Sequence, residues 1–220
     1  MTEIEAIRAR HAVRNYTAKP LSPEIIDELS QEIEQCNRQG QLHIQLVTEN
    51  EDAFKTFIPL FGRFKNVKNY IALAAKKQGD FYVKCGYCGA RLMVKAQQAG
   101  LNSCWVTNTY NAKKCPVTLA PDEELVGVIA IGYGTTDGTQ HKSKSMERLC
   151  KPCSDKWFLD GMNAAVLAPT GLNRQNFFIE ANGNTVSIRT KDNHPMSQIN
   201  TGIVKYHFEI GAGRENFNWE

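Results

Sequence analysis

Two arginines one helical turn apart, Arg10 and Arg14, with His11 next to the first, are the earliest residues in this chain whose types and spacing could do chemistry. On a helix their side chains project from one face. Two guanidinium forks and an imidazole then form a receptor for a phosphate dianion, because charge-assisted hydrogen bonds to phosphate are strong and directional. The same spacing also describes a solvated basic face, the commoner fate of exposed arginine pairs. In His141-Lys142-Ser143-Lys144, Lys142 and Lys144 would point to one side of an extended backbone and make a second cationic pair. The third candidate is Ala168-Pro169-Thr170-Gly171-Leu172-Asn173-Arg174-Gln175. Pro169 should end a helix, and Gly171 permits a turn with positive φ. Such a loop can offer backbone amides, the Thr170 hydroxyl and the Asn173 amide to a polar heterocycle, although an ordinary connecting turn has the same composition.

These residues must be positioned by a chain of 220 residues with 42% hydrophobic content, enough for one domain or two small, closely packed halves. The net charge of +3 is too small for a nucleic-acid surface and fits a local pocket for an anion. No apolar run approaches the roughly 20 residues that cross a bilayer, and the acidic start Met1-Thr2-Glu3-Ile4-Glu5 has no signal-peptide character. A cytoplasmic protein with reduced thiols is therefore expected from its 7 cysteines. Cys85-Gly86-Tyr87-Cys88 and Cys150-Lys151-Pro152-Cys153 imitate a zinc site, but their separation far exceeds that of compact zinc ribbons, so no metal is assigned. Gly132-Tyr133-Gly134-Thr135-Thr136-Asp137-Gly138 has the wrong glycine spacing for a dinucleotide fingerprint and reads as a loop.

Periodicity predicts a helix from Glu3 to Asn15, opened by a Thr2/Glu5 capping box. A second helix begins at Ser22-Pro23 and stops near Gly40, and a strand covers Leu42 to Val47. Next come a strand at Tyr70 to Ala75, a buried helix from Phe81 to Ala99, and strands at Ser103 to Val106 and Leu125 to Ile131. The last is apolar on both faces and should be central. After Gly138 a helix is expected from Ser154 to Ala168, strands at Asn176 to Glu180 and Thr185 to Thr190, and a helix near Asn200 to Gly211. The pattern helix, helix, strand, strand, helix thus reads as repeated, which predicts two similar α+β halves, about 1–138 and 139–220, in a single domain. His207 and Phe208 fall on the final helix as substrate-side or core residues, and Asn216 to Trp219 as a local tail or a cover.

Arg10-His11-Ala12-Val13-Arg14 resembles the Arg-Arg/His-Ser-x-Arg/Lys signature of FMN-dependent nitroreductases, and the Ala-Pro-Thr-x-x-Asn-x-Gln loop resembles their Ala-Pro-Ser-x-x-Asn-x-Gln segment. Gly100 to Trp105 and Val128 to Gly134 are similar to two further stretches, and Gly202 to Gly213 looks like the clostridial-type subgroup. The resemblance implies a nitroreductase-like α+β fold, with a central mixed or antiparallel sheet flanked by helices. It implies that Arg10, His11 and Arg14 hold the FMN phosphate and ribityl end, helped by Lys142 and Lys144. Thr107 and Asn108 would lie near the reactive edge of the isoalloxazine, and the loop bearing Pro169, Thr170, Gly171 and Asn173 would cover the flavin. Ala12 replaces the usual Ser and removes one donor.

In ordinary members the Ala-Pro-Ser loop comes soon after the arginine motif and reaches the flavin from a partner subunit; here it lies late in the chain. The resemblance therefore implies a pseudo-dimer with one complete site per chain, as a monomer or weak homodimer. The implied activity is ping-pong transfer of reducing equivalents from NAD(P)H through FMN to a small acceptor such as a nitroaromatic or quinone, without a catalytic side chain. A flavin-binding protein without turnover, a reductive dehalogenase or flavin-consuming enzyme on the same scaffold, and a zinc-stabilised module remain as alternatives.

Overall fold

A computed structural model describes residues 1–55 and 64–220. The chain divides into two compact units, one of Arg10–Phe81 with Leu92–Gln140, the other of Met1–Ala9, Tyr82–Arg91 and His141–Glu220.

The first unit is built on helix α2 (Pro23–Gly40) and a four-stranded antiparallel sheet, with β1 (Gln45–Val47), β2 (Asn69–Lys76), β3 (Asn102–Val106) and β4 (Glu123–Gly132) in the order β1-β2-β4-β3. Its sequence signals act as expected. The Ser22 hydroxyl accepts from the Ile25 N–H at 3.4 Å and Pro23 occupies the first turn. The helix stops one residue past Gly40, where Gln41 turns left-handed (φ 54°). β2 and β4 are buried over most of their length because both are covered on two faces, and β4 sits between β2 and β3 as the apolar run predicts. The expected strand from Leu42 is reduced to Gln45–Val47, with only an isolated bridge from Leu42 to Ala75.

The second unit holds helix α1 (Glu3–Ala9), the Tyr82–Arg91 part of helix α3 (Phe81–Gln98), helix α4 (Lys156–Ala165), the hairpin β5 (Phe177–Asn182) and β6 (Thr185–Thr190), helix α5 (Pro195–Ala212) and the two-residue strand β7 (Asn218–Trp219) parallel to β6. Helix α5 starts earlier than the periodicity indicated. His194 is its N-cap, its Nδ1 accepting from the Met196 N–H at 3.2 Å, and Pro195 follows in the first turn. Histidine is not among the usual capping residues, which hid this start. The C-terminal tail packs locally: Phe217 stacks on Trp157 with centroids 5.7 Å apart, and the Trp219 indole donates to Glu209 at 2.9 Å. His207 and Phe208 are buried core residues.

Two expectations are corrected. Only α4 precedes the β5–β6 hairpin, so the helix, helix, strand, strand, helix order occurs once; the basic segment forms no more than a short 3-10 turn at Met146–Arg148. The first helix ends at Ala9 rather than Asn15. Val13 and Tyr16 are β-branched and aromatic, weak helix formers, and both are buried in the core of the four-stranded unit with Tyr70, Val106, Val128 and Ala130. The chain from Arg10 onward therefore runs beside the sheet, where its backbone bonds are made with other segments.

Candidate functional site

That early exit from the helix rebuilds the arginine motif. Ala12 bridges Ser103 at the start of β3, and the Val13 N–H donates to the Ser103 carbonyl at 3.2 Å. Asn15 bridges Lys65 and Tyr16 bridges Gly134, while the Tyr16 hydroxyl donates to the Val13 carbonyl at 2.8 Å. The run is stitched on both sides. Arg10 and Arg14 are thus not neighbours on one helix face. Four residues of extended chain cover about 13 Å, against about 6 Å for one helical turn. The two side chains still share an electrostatic neighbour: the buried Cys104 thiol on β3 feels both, although burial outweighs them and pushes the thiol up.

The two guanidiniums differ in kind. Arg14 is exposed, whereas Arg10 is 4% exposed. Burial lowers the Arg10 pKa to about 10, against the opposing influence of Cys104 and Tyr16. Its Nε and Nη1 are buried with no hydrogen-bond partner among the described residues. A buried, charged, unsatisfied donor fork is costly, and it is the group an anionic oxygen would satisfy. His11 is half-buried.

The glycine run set aside as a loop braces this motif. Gly138 (φ +76°) lies so close that a Cβ there would be 2.9 Å from the His11 Cβ and 3.2 Å from the Ala12 carbonyl. A Cβ on Gly134 would be 3.0 Å from Val13 Cγ1, and the Gly134 N–H donates to Asn102 Oδ1 at 2.8 Å. Glycine is required here for close backbone approach rather than for a pyrophosphate, a role that only the packing reveals. At the other end of β3, Thr107 is half-buried and Asn108 exposed, about 13 Å along the strand from Ser103.

The remaining candidates lie in the second unit. Helix α4 ends at Ala165, before Pro169, and the Val166 carbonyl at its end accepts from Ser143 Oγ (3.0 Å) and Gln175 Nε2 (2.9 Å), with His141 Nε2 at 3.1 Å. A helix C-terminus leaves carbonyls without intrahelical partners, and these side-chain donors satisfy one of them. Lys142 and Lys144 do not form a like pair. Lys142 is exposed, while the Lys144 ammonium donates to the carbonyls of Arg174 and Gln175. Lys144 thereby pins the loop instead of facing a ligand with all its donors.

The loop itself differs from expectation at Gly171, which lacks a positive φ; Leu172, Asn173 and Gln175 have it instead. Gly171 is needed for space, because a Cβ there would be 2.8 Å from the Met196 sulfur. Its N–H donates to Asn200 Oδ1 at 3.0 Å, and Asn173 Nδ2 donates to the Lys142 carbonyl at 2.8 Å. Thr170 Oγ1 accepts from the Gln175 N–H at 3.0 Å and keeps its proton to donate.

Gln175, given no role by motif reasoning, ties the assembly together. It is 1% exposed; its Oε1 accepts from the Lys144 N–H at 2.6 Å while its Nε2 holds Val166. Gln175→Leu would strand both backbone groups. We expect a loss of about 2–4 kcal/mol in denaturant unfolding and faster proteolysis of the 168–176 segment.

Fold and site together define an α+β protein with a buried, unsatisfied cation beside an antiparallel sheet and a rigid loop at the end of a helix. A family model described as "Putative TM nitroreductase" matches residues 3–212, and the chain belongs to that family. Among solved structures, a putative nitroreductase of Thermotoga maritima is 20% identical, with 98% of this chain and 85% of that one covered and a TM-score of 0.66. A putative nitroreductase of Desulfovibrio desulfuricans, solved in complex with FMN, is 16% identical, with 70% of this chain and 99% of that one covered and a TM-score of 0.57. A putative NADH dehydrogenase/NAD(P)H nitroreductase of Parabacteroides distasonis is 19% identical, covering 67% and 95%, with a TM-score of 0.54. These likenesses show the nitroreductase-like fold. No curated protein matches the chain. Among the described residues no helix is long and apolar enough to cross a membrane.

Proposed function

We propose that the chain is an FMN-dependent oxidoreductase that passes reducing equivalents from NAD(P)H to a small oxidised acceptor such as a nitroaromatic or a quinone. The observation that carries this reading is the buried Arg10 fork, whose Nε and Nη1 lack any partner among the described residues. Family membership and the FMN complex of the Desulfovibrio relative support the choice of anion.

Arg10 would hold the phosphate, with His11 and Arg14 at the phosphate and ribityl end and exposed Lys142 adding charge. Lys144 would act mainly by holding its loop. Thr107 and Asn108 would flank the reactive edge, and Pro169, Thr170, Gly171 and Asn173 would cover the ring system. Of these, Thr170 has a proton left to donate, whereas the Gly171 N–H is already committed to Asn200. Bound FMN supplies hydride acceptance and return, so no protein nucleophile is needed. The chain's own task is to bind, orient and set the electrostatics, with fixed cations favouring negative charge on the ligand.

Because the arginine motif and the Ala-Pro-Thr loop occur once each, in different halves of the sequence, we infer one FMN per chain and a pseudo-dimer that is a monomer or a weak homodimer. The test is purification followed by flavin titration. A yellow protein with one FMN per chain, bleached anaerobically by NADH or NADPH and restored by a nitroaromatic or quinone, is the expected result. Failure to retain or take up FMN overturns the proposal; FMN binding without NAD(P)H oxidation reduces it to a flavin-binding protein.

A further inference from the structure

The 168–175 loop holds left-handed backbone at three residues other than glycine: Leu172 (φ 52°), Asn173 (φ 52°) and Gln175 (φ 43°). Asparagine tolerates this region, but leucine gains nothing local from it and meets its own Cβ against the backbone. Such conformations persist only where surrounding contacts over-determine them. The contacts are present: Asn173 N–H to Thr170 O at 2.9 Å, Gln175 N–H to Thr170 Oγ1 at 3.0 Å, Asn173 Nδ2 to Lys142 O at 2.8 Å and Gly171 N–H to Asn200 Oδ1 at 3.0 Å. What they hold in place is an apolar side chain in water. Leu172 is 74% exposed, the highest value among the large hydrophobics described.

The left-handed angle at Leu172 costs stability, and its exposed side chain returns little of that through burial. The strained turn thus holds an apolar side chain rigidly in solvent, in position to meet a ligand. We propose that Leu172 is a specificity-determining residue that presents a rigid apolar surface to the acceptor, favouring fused or alkylated aromatic acceptors over smaller ones. This rests on the flavin reading above, in which the loop covers the ring system where an acceptor must approach. The exposed neighbours Lys142 and Arg174 make the comparison of uncharged acceptors the appropriate one, since anions would be drawn by charge alone.

The test compares wild type with Leu172→Asn, which suits left-handed backbone but is polar, and Leu172→Met, which stays apolar. FMN binding is titrated first in each. The readouts are the kcat/KM ratio for 2-methyl-1,4-naphthoquinone over 1,4-benzoquinone, the dissociation constant of the naphthoquinone for the oxidised FMN-loaded protein, and the melting temperature without acceptor. L172N should lower the ratio about five- to tenfold and weaken naphthoquinone binding by a similar factor, as loss of a partial leucine contact requires. Its melting temperature should equal or exceed that of wild type, because strain is relieved. L172M should keep the ratio. Unchanged ratio and binding in an FMN-loaded L172N overturn the inference alone, and an altered oligomeric state with an unchanged ratio does so by assigning the leucine to contact with a second copy. A wild-type chain that binds no FMN overturns the flavin reading and this inference with it.

Discussion

Replacing Arg10 with Met is expected to weaken FMN binding by at least two to three orders of magnitude while leaving the ligand-free protein as stable as wild type or more so. Two charge-assisted hydrogen bonds to phosphate, each worth about 1.5–3 kcal/mol, set the size of the binding loss. The stability effect has the opposite sign because the ligand-free chain bears a buried guanidinium whose Nε and Nη1 are unsatisfied. Methionine fills similar space without that desolvation cost. Titration of FMN by fluorescence quenching, paired with thermal melting in its absence, separates the two effects. Weak coupling of Arg10 to FMN in such a titration counts against a phosphate role.

The same residue gives a pH dependence. Burial lowers its pKa to about 10 in the folded chain, so between there and the higher ordinary arginine range the unfolded state binds the extra proton. Stability of the ligand-free protein attributable to Arg10 therefore rises with pH through that window, with the full penalty in place below it. FMN affinity should fall over the same window as the guanidinium loses its charge. Arg10→Met should flatten both slopes, which the same titration and melting measurements at high pH would register.

The second large effect is steric and lies within the second unit. Helices α3 and α5 approach within the second unit with backbone against backbone. A Cβ on Gly202 would sit 1.9 Å from the Val83 carbonyl oxygen and 2.6 Å from the Tyr87 nitrogen; one on Gly86 would sit 2.1 Å from the Ile199 carbonyl oxygen. Neither obstacle is the end of a flexible side chain, so accommodation means separating two 18-residue helices. Gly202→Ala is expected to cost at least about 3–4 kcal/mol, above the usual range for overpacking, despite the better helix propensity of alanine. Denaturant unfolding measures it directly. A loss below about 1 kcal/mol would show that the helices can part cheaply.

Much of this was legible in the sequence because it rests on local rules. Ser22-Pro23 opens α2 and the apolar run of β4 marks a central strand, since capping and two-sided burial depend only on neighbouring residue types. The ordered motifs from Arg10 to Gly213 identified the family. What the sequence misplaced were bonds made at a distance. Glu3 to Asn15 satisfies helical periodicity, yet burial of Val13 and Tyr16 beside β3 outweighs it and ends α1 at Ala9. Gly171 was assigned the left-handed turn from its own lack of a side chain, but Met196 sets its need for space and Leu172 takes the strained angle.

The arginine motif shows the division most clearly. By itself the sequence determined that two guanidiniums and an imidazole stand close along the chain, a set able to receive an anion or to form a solvated basic face, because charge and donor count belong to residue type. Tertiary structure decided how differently they are placed. It buries Arg10 with Nε and Nη1 unmet among the described residues, leaves Arg14 exposed, and commits Lys144 to the carbonyls of Arg174 and Gln175. Desolvation depends on every atom packed around a charge, and those atoms come from segments far away in the chain.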